Sequence, residues 1–164
     1  MGTGIQVLRS GDAFESPMTF IFRKTNQFGA EGGHIEFVAE VWCSDKDIRT
    51  NIHLLSELAT LEENKDTNVI TIFATSPKGE GRAAHAGRCE ISINKRKNSD
   101  CIAHVQMISV PPGVSDPELY DHCTVHFNTT LESIGAFVEH LKHGCESERM
   151  TAALEGSETF QDLF

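Results

Sequence analysis

The stretch HIEFVAEVWCSDKDIRTNIHLL, residues 34–55, changes period in its middle, and that change sets the fold class. Ile35, Phe37, Ala39, Val41 and Cys43 alternate with Glu36 and Glu40, which is the pattern of a strand with one apolar and one polar face. From Ser44 onward the apolar residues Ile48, Ile52, Leu55 and Leu58 recur at helical spacing, predicting a helix over 45–63. Ser44 and Asp47 stand in capping-box order, which satisfies free helix amides and puts a negative charge at the positive helix end. The second face of the strand carries Val38 and Trp42 between the glutamates, so part of that face is expected to be covered.

The same transition occurs again further on. Cys123, Val125 and Phe127 alternate, and Leu131, Ile134, Phe137, Val138 and Leu141 follow at helical spacing, predicting a helix over 129–143. Thr129 and Glu132 have the spacing of a capping box, and Gly144 is placed to end the helix. Short strands are expected at 5–9, 18–24, 69–75, 89–93 and 102–110, the last two joined by the polar turn 94–100 into a hairpin. The expected fold is a single α+β domain over 1–144, a mostly antiparallel sheet of about six or seven strands with two amphipathic helices packed on it. Residues 145–164 read as an acidic C-terminal tail, partly ordered or docking.

With 164 residues, 39% of them apolar, the chain can build one core. Its 24 acidic and 14 basic side chains give a formal net charge of −10, which repels nucleic acid and favours basic partners. The cluster Lys95, Arg96, Lys97 falls at the hairpin tip and reads as a solvated turn. Neither a span of membrane length nor a secretion signal is visible, so a cytoplasmic protein, monomer or homodimer, is the expectation. The five cysteines lack C-x-x-C spacing and read as small buried hydrophobes.

Three constellations bear on chemistry. His122, His126, His140 and His143 are numerous enough for a zinc site, although the strand that turns Cys123, Val125 and Phe127 to the core would point His122 and His126 away from the helix. The glycine-rich segment 79–87 with Lys78, Arg82 and Arg88 lacks the Gly-Lys-Ser or Gly-Lys-Thr of a phosphate loop. His104 with Cys101 or Cys123 carries no local signature of a nucleophilic site, and no catalytic residue is assigned.

The end of the chain, Phe160-Gln161-Asp162-Leu163-Phe164, resembles the peptides that dock on bacterial sliding clamps, with Phe160 where such peptides begin with glutamine. The order of elements from 33 to 144 resembles small bacterial immunity-type proteins grouped with toxin systems. It rests on the strand Ile35 to Trp42, the helix near Leu54 to Leu61, the hairpin around Ile93 and Val105, and the closing helix ending at Leu141, with Pro77 to Gly87 as an insertion. That resemblance implies an acidic protein that blocks a toxin by binding it, with no catalytic residues to carry over, and no cofactor is expected. The expected function is therefore non-enzymatic capture of a basic protein partner, with Glu36, Glu40, Glu62, Glu63 and Asp66 as contacts. A zinc-binding protein or metal-dependent enzyme built on the four histidines, and an adaptor acting through Phe160 to Phe164, are the alternatives.

Overall fold

A computed structural model describes residues 2–11, 17–25, 34–58, 69–73, 87–147 and 149–157. Their order is β1 (Gly4–Ser10), β2 (Met18–Thr25), β3 (His34–Val41), α1 (Asp45–Glu57), β4 (Val69–Ile72), β5 (Arg88–Lys95), β6 (Asp100–Ser109), β7 (Asp121–Thr130), α2 (Leu131–Cys145) and β8 (Arg149–Glu155). The α+β class and the two helices are as expected from the sequence. The strands, however, form two antiparallel four-stranded sheets in the orders β3-β2-β1-β8 and β4-β5-β6-β7, in place of one sheet of six or seven.

The second sheet is a plain meander. The first is the same meander cut open, because β8, near the C-terminal end, pairs with β1 through seven residue pairs from Gly4↔Glu155 to Ser10↔Arg149. The described chain is thus two successive β-β-β-α-β units, and the last strand of each completes the sheet of the other. The helix caps Ser44 and Thr130 lie 86 positions apart (130 − 44). The same shift carries Ile48, Ile52 and Leu55 onto Ile134, Val138 and Leu141, all of them buried. It also carries Arg9 onto Lys95, two basic side chains buried at the ends of β1 and β5. The twice-used transition in the sequence is therefore the visible trace of a structural duplication.

Inward-facing residues of both sheets and the apolar stripes of both helices share one core. Phe20 meets Phe73 edge-on at 5.1 Å between ring centroids, and Phe22 packs against Phe127 at 6.2 Å. Phe73 directly follows β4 at φ 57°, a left-handed conformation that strains a residue bearing a Cβ, and its N–H donates to Asn51 Oδ1 of α1 at 3.2 Å. The hairpin between β5 and β6 turns through Asn98 and Ser99, both at positive φ, with Asp100 N–H donating to Lys97 O at 3.0 Å. That is the mirror-image turn matching the twist of paired strands.

The sheets also touch each other. Gly87 N–H donates to Glu40 O at 2.9 Å, and Ser157 N–H donates to Asn128 O at 2.8 Å. A Cβ at Gly87 would collide with the Ile108 carbonyl oxygen and approach Glu40 O to 2.9 Å, so glycine is required where β5 enters beneath β3.

Several boundaries differ from the sequence reading for identifiable reasons. The α1 capping box forms as expected, with Asp47 N–H donating to Ser44 Oγ at 3.1 Å and Ser44 N–H to Asp47 Oδ2 at 3.2 Å. The described helix ends at Glu57 with Leu58 as C-cap, and residues 59–63 lie outside the described residues. The α2 cap is Thr130, one residue later than expected, because Thr129 faces inward and its hydroxyl donates to Glu155 O at 2.7 Å. Gly144 lies within α2 and does not end it; the space a Cβ would need there is occupied by Met150 of β8. The part of the acidic tail that is described contains β8, whose Met150, Ala152 and Leu154 are buried.

Candidate partner-binding site

Alternation along β3 sends Glu36, Val38 and Glu40 to the outer face of the first sheet, and Trp42 continues that row beyond the strand. Across the register on β2 stand Arg23, Ile21 and Thr19. Arg23 donates to Glu36 Oε2 from Nε at 3.1 Å and from Nη2 at 2.7 Å, which holds that carboxylate over the sheet. Val38 is 40% exposed, and Ile35, expected on the core face, is 65% exposed because β3 runs past the edge of the core. The expectation that this face is partly covered applies to Trp42, which is half-buried.

What flanks Trp42 is the connection from β6 to β7. Pro111 to Val114 form a turn in which Val114 N–H donates to Pro111 O at 3.1 Å and Gly113 takes φ 77°. Between this turn and β3 lies a cleft of about 550 Å³, walled by Val38, Trp42, Val110, Pro111 and Pro112, with Gly87 also in its lining. Glu40 is part of its lining and also of that of a second cleft, about 550 Å³, which it shares with Leu8, Arg9, Thr19 and Arg149. Farther along the same connection come Asp116, Glu118 and Asp121, with Leu119 exposed between them. The arrangement is an aromatic and proline-lined groove with a carboxylate in its lining, suited to an apolar side chain next to a cationic one.

The sequence singled out Glu36 and Glu40 for their alternation but did not find the groove. Its signal was the Pro111-Pro112-Gly113 turn together with the parity of Trp42 on β3; their adjacency depends on a contact between sheets that no local pattern encodes. Glu62, Glu63 and Asp66 lie outside the described residues, as do Phe160 to Phe164 and most of the glycine-rich segment 79–87.

The four histidines considered for zinc occupy two places. His122 and His126 are exposed on the outer face of β7, and His140 and His143 are exposed near the C-terminal end of α2, whose other side is in the core. Among the described residues no three His, Cys, Asp or Glu side chains gather closely enough to hold an ion. His104 is exposed on the outer face of β6, whereas Cys101 points inward and is buried, so strand parity separates that pair. Cys123 is likewise on the core-facing side of β7, opposite to the side that carries His126.

Burial governs the thiols. It pushes Cys43 up to about 12 and Cys101 to about 11 from an ordinary 9.0, and Cys89 well above that value. Cys123 and Cys145 are raised as well, by the same loss of hydration. All five are free thiols that favour the protonated, weakly nucleophilic form. At the second cleft, the buried Arg9 donates from Nη2 to Asp45 Oδ1 at 3.0 Å while its Nε and Nη1 are buried without a hydrogen-bond partner among the described residues. No helix among the described residues is long and apolar enough to cross a membrane. Searches of family models, curated proteins and solved structures find no match to this chain.

Proposed function

We propose that this chain is a non-enzymatic acidic binding protein that captures a basic protein partner, such as a toxin, through the outer face of β3 and the groove beside it. The observation that carries the reading is the placement of Glu40 in the lining of the proline-rich cleft, together with the exposed Val38 and the half-buried Trp42. An interface of this kind needs an apolar anchor pocket and charges that steer the encounter, and a net charge of −10 supplies a long-range field for a cationic partner. Glu36 contributes less to that field than Glu40 because Arg23 already neutralises it.

The test is native mass spectrometry of the full chain purified gently at moderate salt from cells of its source, with Glu40→Lys, Trp42→Ala and a remote control, Glu139→Lys, in parallel. The expected result is a basic protein bound at fixed stoichiometry to the parent and the control. Glu40→Lys should reduce occupancy more at low salt than at high salt, because rim charges act mainly on the screened association rate. A partner retained equally by all variants, or a parent that carries none, overturns the proposal.

A further inference from the structure

The outer face of the second sheet holds a side-chain pair that the binding reading leaves unused. His104 on β6 and His126 on β7 are directly opposite in the register, both are exposed, and their ring centroids are 5.7 Å apart with 39° between ring planes. We infer that these two imidazoles form a binding site for one divalent transition-metal ion, with zinc as the reference case.

The spacing of the two rings is close to what the ion requires. A zinc ion sits about 2.0–2.1 Å from each ligating nitrogen, hence about 3.2 Å from each ring centre, and a tetrahedral angle then places the two centroids roughly 5.2 Å apart. The observed centroid separation is 5.7 Å. Directly opposed residues on antiparallel strands have Cβ atoms about 4.5–5.5 Å apart, so backbone pairing provides the preorganisation. The site is thus anchored on β6 and β7, which are joined by ten register pairs from Asp100↔Thr130 to Ser109↔Asp121.

The surroundings are compatible with a cation. The same cross-strand row continues to Ser92 on β5 and Thr71 on β4, whose hydroxyls lie 3.1 Å apart, and the next residues outward on each side are Gln106 with Thr124 and Ile102 with Asn128. None of these carries a positive charge, and the net charge of −10 raises the local cation concentration. Two protein ligands leave the other coordination positions to water. His126 belongs to the set considered from sequence for zinc, but its partner in space is His104 and not His122, His140 or His143. The inference is independent of the proposed partner-binding face on β3.

The experiment is a zinc titration of the full chain followed by ¹⁵N imidazole NMR, which reads each histidine separately. Signals of His104 and His126 are expected to move together and saturate at one equivalent, ahead of those of His122, His140 and His143. His104→Asn is expected to abolish the shift at His126, and His126→Asn that at His104. Affinity should fall by at least the about 10–100-fold seen when even an outer hydrogen-bond partner of a metal ligand is removed. Both positions are exposed, so circular dichroism is expected to be unchanged in either variant. Independent movement of the two signals, earlier movement at His140 and His143, or parent-like binding by either variant overturns the inference.

Discussion

Cys43 shows how a single side chain ties stability to solution conditions. Its thiol is pushed up to about 12, chiefly by burial and then by Asp47, while the unfolded thiol ionises near 9.0. Between those values the folded chain holds a proton that the unfolded chain has released, so stability falls as pH rises through that window and is unaffected by this group below it. The urea midpoint is expected to decline from about pH 8.5 to about pH 10.5, and Cys43→Ala to decline less steeply. Equal slopes would show that this thiol has no part in the loss. Cys89 and Cys101 act in the same direction. The sequence foretold small buried thiols from their apolar neighbours, which holds for Cys43, Cys89 and Cys101 while Cys123 and Cys145 are half-buried, whereas the ion pair of Arg9 with Asp45 joins residues 36 positions apart and leaves no local trace.

Elements were legible where one face meets the core and the other meets water. The α1 box of Ser44 and Asp47, the β5–β6 hairpin and the change of period at both helix starts could be read directly, because caps and alternation are local. β8 was not legible, since Met150, Ala152 and Leu154 alternate but are few, and acids flank them. Its ladder partner β1 lies at the other end of the chain, and pairing at that distance is decided by the sheet. The same limit hid the division into two sheets and the groove beside Trp42. At this scale one substitution has opposite signs at two glycines. Gly135 of α2 has open space where a Cβ would go, so Gly135→Ala should stabilise by about 1 kcal/mol through helix propensity. Gly87→Ala should destabilise by about 1–3 kcal/mol, because the atoms in its way are backbone carbonyls of two strands. Chemical denaturation of both variants measures the two signs together.

Taken whole, the molecule is a duplicated unit whose sheets each complete the other, with the two ends of the described chain brought together at Gly4 and Glu155. Gly156 N–H donates to Thr3 O at 2.8 Å beside that pair. Linking the two ends of the chain through a flexible glycine-serine segment and opening it between Ser115 and Asp116, both exposed in the connection from β6 to β7, should therefore give a permuted protein with parent-like circular dichroism and one cooperative unfolding transition. A permuted chain that fails to fold would mean that the β1–β8 ladder forms only with the native order of segments. The antiparallel sense of that ladder has a mechanical consequence. Tension applied at the two described ends would act at the Gly4–Glu155 end of the ladder and open its hydrogen bonds one after another, as a zip opens, instead of shearing them all at once. Pulled from these ends, the first sheet would yield strand by strand, while the second, a continuous meander, would at first be held to the load only by the Ser157–Asn128 hydrogen bond and would be drawn on fully after β8 had peeled away.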